Sequence, residues 1–411
     1  MIRKLNTLSL VAGALFLGAC YEDEALAPPT PPPGSTVNAL FDRPVWMGNS
    51  ITAGFQSAGI NDSTQQRSYA KLLAGAMGTP YFYRSLRGNG CVAPFTNNKT
   101  QARVGGASAT ACAGGSTAEL PWLSNVAIPG ARAIEITNNA ATPSSSNALT
   151  QIILQFATQA ERMVEAEPTF VSMWAGNNDV LGALTNAANP GQPLAVTTQV
   201  NFDAAYDAAV AQINASTATG ALLVGVVDVS NIPYASKGST IWCLKTGACG
   251  FPAAAFPATF AVDTSCAPGA AVPGALGDSI LVPWTKFLPR IGAAAGGASV
   301  TLNCGAAFDT VVVRPAEYAA LRNAVVGYNA KIQAVATANN WAFWNPNGAL
   351  DSLRIAGQIP PFPNIATANV DFGPWISLDG VHPSANAHKL IANYMRGVIN
   401  TKYTTTIPAI P

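Results

Sequence analysis

The chain has 411 residues, 49% of them hydrophobic and only 10% charged, and its 22 basic and 21 acidic side chains nearly cancel. Such a near-neutral chain lacks the basic surface that nucleic acids require, so no nucleic-acid partner is expected. The high apolar content also excludes a largely disordered chain.

The beginning of the chain, MIRKLNTLSLVAGALFLGAC, combines basic residues, an apolar run and a closing cysteine. The apolar run 8–17 is too short to cross about 30 Å of hydrocarbon, so residues 1–19 are predicted to be an export signal rather than a membrane span. The LGAC motif that ends at Cys20 resembles the lipobox of bacterial lipoproteins. This resemblance implies cleavage before Cys20 and acylation of the cysteine, with ordinary secretion as the alternative.

Tyr21 follows the cysteine, so the Asp that signals retention in the inner membrane is absent from that position. An outer-membrane lipoprotein of the bacterial cell envelope is therefore expected, with the lipid anchor as its contact with the membrane. Residues 20–37 are rich in proline and are predicted to be a semi-rigid linker. This leaves 38–405 as the folded domain.

Six cysteines remain besides Cys20, and an even number in an oxidising compartment suggests three disulfides. Many pairings are possible, but each cysteine shares a loop-like segment with its neighbour along the chain. The expected pairs are therefore Cys91–Cys112, Cys243–Cys249 and Cys266–Cys304. A zinc site is the alternative. The Cys243-x5-Cys249 spacing is unusual for zinc ligands and the chain has only two histidines, so no metal is expected.

The domain begins with short apolar runs that alternate with helical patterns, which predicts a parallel sheet with helices on both faces. The first strand is predicted at 44–47, followed by a helix at 68–77 and a second strand at 81–85. Residues 86–125 are rich in glycine and are predicted to be a loop insertion closed by a disulfide.

The middle of the chain continues the same alternation. Residues 151–167 have helical spacing and lead into a predicted strand at 169–174. A further amphipathic helix is predicted at 201–217, where Asn201 or Asp203 can serve as the cap.

The most hydrophobic strand is predicted next, at 221–229. Residues 230–308 are rich in Pro, Gly and Cys and are predicted to be a long, irregular insertion over one end of the sheet. A long helix at 315–340 then enters a strand at 341–346.

The last predicted helix, 385–399, can be capped by Ser384. The pattern contains five strands and no internal repeat. We expect one domain, a three-layer α/β/α flavodoxin-like sandwich with a mostly parallel five-stranded sheet and long loop insertions.

Three polar segments follow predicted strands or open the last helix, and the carboxyl ends of parallel strands line one crevice. Ser50 ends a Gly-Asn-Ser turn after the first strand. A serine becomes a nucleophile when an adjacent base takes its proton. The alternative is that these residues only form a turn, as they commonly do. Asn178 offers an amide donor, although Asn is also a common helix cap. Asp379 lies three residues before His382, where a carboxylate can orient an imidazole.

Together these segments resemble the sequence blocks of the SGNH or GDSL family of serine hydrolases, in the order that the family shows. The nucleophile block matches 48–51, with Asn49 where the family usually has Asp. The Gly-x-Asn-Asp block matches 176–179, and the closing Asp-x-x-His block matches 379–382. Because the residue at position 49 is not part of the family's triad, this departure should be tolerated.

The family's remaining block is a glycine after the second strand. It best matches Gly130 in NVAIPGAR, with Gly88 and Gly90 as alternatives.

The resemblance implies a carboxylic ester hydrolase, an esterase or lipase, acting through an acyl-enzyme. Ser50 would attack the ester, His382 would take and return its proton, and Asp379 would orient the imidazole. The oxyanion would be held by the N–H groups of Ser50 and Gly130 and the amide of Asn178. No metal or organic cofactor is implied.

Other residues near these segments are less informative. His388 lies six residues after His382, inside the last predicted helix, and should point in a different direction. It is interpreted as structural. Trp46, Trp174 and Phe372 are candidates either for an apolar acyl pocket or for the core.

Three other functions stay open. The same family includes polysaccharide O-acetyl esterases, so the substrate could be a small-molecule ester, a lipid or an acylated sugar. Aryl esterase and thioesterase activities are also possible. In a different class, the chain could be a catalytically inactive, surface-binding lipoprotein on a hydrolase scaffold, because fold alone does not establish function.

Overall fold

The predicted signal (1–19) and linker (20–37), including Cys20, lie outside the residues that the structure describes. That structure is a computed structural model describing residues 38–141, 146–250, 256–305 and 311–411. Within these ranges no helix is both long and apolar enough to cross a membrane.

The strands of the described ranges are short, and the longest belong to one central sheet. In chain order they are β1 Pro44–Gly48, β2 Phe95–Asn97, β3 Ala102–Arg103, β4 Phe170–Trp174, β5 Gly220–Val224, β6 Ala235–Lys237, β7 Phe260–Val262, β8 Leu281–Pro283, β9 Val300–Leu302 and β10 Ala342–Trp344.

The helices are distributed along the whole described chain. They are α1 Ser50–Ala53, α2 Asp62–Gln65, α3 Tyr69–Met77, α4 Ala148–Leu154, α5 Gln159–Glu165, α6 Asn178–Leu184, α7 Gln199–Ala215, α8 Gly238–Thr246, α9 Trp284–Ala295, α10 Pro315–Ala338, α11 Asn347–Ile355 and α12 Ala385–Tyr403.

Parallel strands form the central sheet, in the order β1-β4-β5-β10. Alternate residues of a strand point to opposite faces. In β1, Val45 and Met47 pack in the cluster beneath α5, α7 and α10, whereas Trp46 packs in the cluster beneath α3 and α12. Helices therefore cover both faces, and the predicted α/β class with a mostly parallel sheet is confirmed.

The predicted strand at 81–85 does not form, so within the described ranges the sheet has four strands rather than five. Residues 124–128 run along the free edge of β1 instead. They exchange backbone hydrogen bonds with Trp46 and donate from Ile128 N–H to Gly48 O at 3.2 Å. The 81–85 segment lies outside them, where Phe82 N–H donates to the Ser124 hydroxyl at 3.0 Å. Phe82 O also accepts from Ser124 N–H at 2.7 Å, so contacts with one residue take the place of a ladder.

The helix predicted at 151–167 is two helices, α4 and α5. The chain leaves helical geometry at Gln155 and Phe156, which both have positive φ. Thr158 then starts α5 through a capping box with Glu161. The predicted caps of α7 are also wrong, because that helix begins two residues earlier and its cap is Thr198.

Strand β5 is shorter than the predicted 221–229. It ends at Val224, because the side-chain amide of Asn329 binds both the N–H and the carbonyl of Val226. The amide thereby replaces a strand partner, and the chain turns away from the sheet.

The 230–308 insertion is more regular than predicted. It contains α8, α9, the antiparallel pair β6–β8 and the parallel pair β7–β9. A separate apolar cluster, including Phe260 and Phe287, holds these elements together. The 86–125 insertion has little regular structure beyond the short β2–β3 pair.

All three predicted disulfides are present: Cys91–Cys112, Cys243–Cys249 and Cys266–Cys304. The last closes the longest segment, with a sequence separation of 38. In the chain-entropy model such a loop stabilises the fold by about 4 kcal/mol. The disulfides therefore brace the two insertions, which carry little sheet of their own.

Candidate active site

The turn after β1 holds Ser50 at the carboxyl edge of the sheet. Gly48 has φ +148°, and a Cβ at this position would lie 2.5 Å from Trp174 O, so only glycine fits. The Asn49 side chain accepts from Ile51 N–H at 3.1 Å and donates to Trp174 O at 3.1 Å. The amide of Asn49 thus caps α1 and also ties the turn to β4, and this second bond requires the N–H that an aspartate would lack.

The Ser50 hydroxyl meets the ring of His382, from the far end of the chain. His382 Nε2 is 2.8 Å from Ser50 Oγ, and His382 Nδ1 is 2.8 Å from Asp379 Oδ2. Ser50 is 6% exposed and Asp379 is 8% exposed, so the chain of contacts lies mostly out of water. The structure therefore brings these three predicted residues into one hydrogen-bonded line.

Asp379 is held by more donors than the histidine alone. Its Oδ2 also accepts from Ala58 N–H at 2.7 Å. Its Oδ1 accepts from the N–H groups of His382 and Val381 at 2.8 and 2.9 Å, and from the Ser377 hydroxyl at 3.2 Å. Burial by itself would raise the pKa of Asp379, but the charge and hydrogen bonds of His382 and the Ala58 N–H outweigh it and lower the pKa to about 2. The carboxylate stays ionised.

Two aromatic residues complete the surroundings of this line. The Phe55 ring lies 4.8 Å from the His382 ring, centroid to centroid. Trp284, from the 230–308 insertion, donates its Nε1–H to Asp379 O at 3.3 Å and packs against Phe372. Sequence reasoning missed both residues, as well as Ala58 and Ser377, because no motif links these distant segments to the Asp-x-x-His block.

Asn178 and Gly130 are connected to the Ser50 turn by two contacts. Asn178 Nδ2 donates to Ala131 O at 2.9 Å, and Ile128 N–H donates to Gly48 O. These two contacts hold Gly130, with φ +87°, between the turn and Asn178. In the described part of the chain neither the Ser50 nor the Gly130 N–H has an acceptor, so both are available to a ligand.

The alternative glycines have a different setting. Gly90 donates its N–H to Arg87 O at 3.1 Å, and Gly88 belongs to the same turn. A donor that is already used in a turn cannot serve an oxyanion, which favours Gly130 over Gly90.

The residue after Asn178 supports the same loop. Asp179 is 1% exposed, and its Oδ2 accepts from Ala133 N–H at 2.8 Å. Burial raises the pKa of Asp179 to about 6, although hydrogen bonds from Ala133 and Thr197 work against this rise. Asn178 and Asp179 therefore hold the chain at 131 and at 133, just after the turn that contains Gly130.

Beside Ser50 lies an apolar pocket of about 800 Å³, counted out to its open mouth. Of the three aromatic candidates, Trp174 lines this pocket. Trp46 and Phe372 are not among the lining residues and are buried elsewhere.

Asn177 is a polar residue in the wall of the pocket. It is 5% exposed, and its Oδ1 accepts from Val227 N–H at 3.0 Å. Within the described residues its Nδ2 has no hydrogen-bond partner.

His388 serves the fold. It is fully buried, and its Nδ1 accepts from Tyr69 N–H at 3.1 Å at the start of α3. Burial, with the nearby His382 as a smaller cause, lowers the pKa of His388 to about 3, so the ring is neutral. Among the described residues no group of three or more His, Cys, Asp or Glu side chains could hold a metal ion.

The sequence matches no protein-family model, and no curated protein matches it. Solved structures that resemble the fold include an acetylxylan esterase from Geobacillus stearothermophilus, at 11% identity and a TM-score of 0.37, over 89% of this chain and 95% of that chain. Another is LAE5, an alpha/beta hydrolase enzyme from the metagenome of Lake Arreo, Spain, at 12% identity and a TM-score of 0.35, over 86% and 93%. Similarity at this level carries no argument about activity, so function has to be inferred from the site.

Proposed function

We propose that this protein is a carboxylic ester hydrolase that uses Ser50, His382 and Asp379 through an acyl-enzyme. One observation carries the proposal: the 2.8 Å contact of Ser50 Oγ with an imidazole whose other nitrogen is 2.8 Å from a carboxylate. Because Asp379 stays ionised, it accepts a hydrogen bond from His382 Nδ1–H, which leaves Nε2 unprotonated and free to act as the base. A surface serine beside a histidine would lack this fixed tautomer.

In the first half of the reaction, Ser50 Oγ bonds to the ester carbonyl carbon while its proton passes to His382 Nε2. The tetrahedral intermediate then loses the alcohol, which takes the proton from Nε2 as its C–O bond breaks. In the second half, water gives its proton to Nε2 and attacks the acyl carbon. The acid leaves and Ser50 regains its proton, so atoms and charge balance over the cycle.

The negative oxygen of the intermediate requires donors that are free in the resting protein. We assign this role to the N–H groups of Ser50 and Gly130 and to the Asn178 amide. The first two have no acceptor in the described chain, and Asn178 Nδ2 has a second hydrogen beyond the one that it donates to Ala131. One such donor is typically worth on the order of 10²–10³ in kcat.

The two main alternatives make different demands on the site. A polysaccharide O-acetyl esterase has to hold only an acetyl group on the acyl side, whereas the pocket beside Ser50 has a long apolar wall. An inactive binding protein needs no aligned base, yet His382 and Asp379 are aligned on the Ser50 hydroxyl.

The test is hydrolysis of p-nitrophenyl butanoate by the full-length protein and by Ser50→Ala. We expect kcat/KM to fall by roughly 10⁶, because the triad acts as a unit. Ser352→Ala, at an exposed serine on α11, is the matched control and should keep full activity. Turnover retained in Ser50→Ala would contradict the assignment of the nucleophile. A folded wild-type protein that hydrolyses no ester would favour the inactive binding protein.

We further propose that the mature protein is a single domain exported to the cell envelope and anchored through an acylated Cys20. The support is the LGAC motif and the proline-rich linker that follows it. Cys20→Ser should abolish incorporation of labelled palmitate and move the protein from the membrane fraction to the soluble one. Unchanged labelling would contradict anchoring at this residue.

A further inference from the structure

We propose that the apolar pocket beside Ser50 binds the acyl chain of the ester, and that the substrates are esters of medium- to long-chain fatty acids. This inference rests on the proposed hydrolase function and adds to it the class of acid. It follows from the position of the pocket and the chemistry of its wall.

The pocket is lined by chain neighbours of both reacting residues. Ile51, the residue after Ser50, lines it, and so do Val381 and Pro383, the residues on either side of His382. An acyl carbon bonded to Ser50 Oγ would therefore have apolar space directly beside it. The pocket extends from there along the end of the sheet, where Trp174 and Trp344 form part of its wall.

The wall favours a hydrocarbon chain. Helix α11 contributes Leu350 and Leu353, and helix α12 contributes Leu390 and Ile391. Every lining residue except Asn177 carries an apolar or aromatic side chain. A sugar in this space would lose hydrogen bonds to water without replacing them, whereas an alkyl chain would only lose unfavourable contact with water.

Burial of hydrocarbon sets the size of the expected effect. Each methylene that leaves water favours binding about fourfold. Octanoate has four methylenes more than butanoate, so full burial predicts a kcat/KM ratio on the order of 10² in favour of octanoate. Acetate, which barely enters the pocket, should be the poorest of the three.

The experiment measures kcat/KM of the full-length protein for p-nitrophenyl acetate, butanoate and octanoate below the concentration at which the octanoate forms micelles. Ala349→Phe, on the wall of the pocket, should reduce the octanoate-to-butanoate ratio at least tenfold. Ser352→Phe, exposed on the same helix and outside the wall, is the matched control and should leave the ratio unchanged. A ratio within one preparation does not depend on how much protein folds.

Each outcome separates the pocket from the catalytic proposal. Hydrolysis with a preference for acetate would overturn the pocket inference and leave the hydrolase function standing. An unchanged ratio in Ala349→Phe would also overturn it. If Ala349→Phe does not fold, Leu353→Ala replaces it, since loss of this wall contact should likewise lower the ratio.

If the wild-type protein hydrolyses no ester, the hydrolase proposal fails, and binding of the fluorescent fatty acid cis-parinaric acid still tests the pocket. Saturable binding that Ala349→Phe weakens would support the pocket, and the lack of binding would overturn it.

Discussion

Ala58 and Asp379 are 321 positions apart, yet Ala58 N–H donates to Asp379 Oδ2 at 2.7 Å. The same oxygen lies 2.8 Å from His382 Nδ1. Ala58 has positive φ, as does Ser57, whose N–H donates to the Ser377 hydroxyl at 2.9 Å. The turn that follows Ser50 thus donates one N–H to Asp379 and one to Ser377, whose hydroxyl in turn donates to Asp379. It ties the early and late parts of the chain together.

The first prediction concerns Asp379→Asn, which removes the charge from this cluster of donors. The lowered pKa means that the ionised form stabilises the folded protein above the unfolded value, 3.8, and that this contribution is lost as pH falls towards about 2. Its size is on the order of 2 kcal/mol. The variant should therefore unfold more easily at pH 7, and its deficit should shrink as the pH is lowered from 4 towards 2.

Urea unfolding of both proteins across this pH range measures the effect, and kcat should fall by about 10⁴. Asp371→Asn, at an exposed aspartate nearby, is the control for a simple loss of charge. A deficit that is the same at pH 3 and at pH 7 would contradict the ionised state assigned to Asp379.

A second prediction tests whether the 230–308 insertion supports the reacting groups. Trp284→Phe keeps an aromatic ring against Phe372 but removes the N–H that donates to Asp379 O. A hydrogen bond of this kind is worth about 0.5–1.5 kcal/mol, so kcat should fall roughly threefold to tenfold with little change in KM.

Steady-state kinetics with p-nitrophenyl butanoate measure this change. Trp242→Phe, in α8 of the same insertion, makes an equivalent replacement in the insertion's own apolar cluster and should leave kcat unaltered. Equal kinetics in the two variants would mean that the Trp284 contact does not position Asp379.

The elements that sequence alone predicts well are those whose signals are local. Helix α3, Tyr69–Met77, lies within the predicted 68–77, and α12 starts after Ser384, its predicted cap. The break between α4 and α5 also has a local signal, the Thr-x-x-Glu capping box that starts at Thr158. The helical spacing of apolar residues continues across it, so the sequence pattern predicts one helix. The strand predicted at 81–85 does not form for a different reason, since residues 124–128, at the end of the 86–125 insertion, take its place beside β1.

The site shows the same division. Ser50, Asp379 and His382 lie in short motifs, so their identities could be inferred before their distances were known. The residues that support them could not be inferred. Ala58 acts through its backbone N–H, Phe55 through its ring and Trp284 through its indole N–H, and none of these contacts leaves a pattern in the sequence. Long-range contacts of this sort depend on how the insertions fold.

A third prediction follows from the buried carboxyl of Asp179. Its pKa is raised to about 6, so the folded state disfavours the charge. Relative to an unfolded value of 3.8, stability falls as pH rises between these two values and stays lower above them. Asp179→Asn removes this penalty, and the amide oxygen can still accept from Ala133 N–H.

The variant should be more stable than the wild type at pH 7, by up to about 3 kcal/mol, and the gain should vanish near pH 4. Denaturant unfolding at the two pH values measures it, with the exposed Asp207→Asn as the control. A variant that is less stable at pH 7 would show that the charge itself is needed.

The last prediction separates the catalytic from the structural contribution of Asn178. Its Nδ2 donates to Ala131 O, so Asn178→Ala loses that contact as well as the proposed oxyanion donor. A donor used only in the transition state lowers kcat by about 10²–10³ and leaves KM nearly constant. A purely structural contact would instead lower the melting temperature and the fraction of active protein. Kinetics normalised to active sites by the p-nitrophenol burst distinguish the two, with the exposed Asn201→Ala as the control, and an unchanged normalised kcat would remove Asn178 from the oxyanion site.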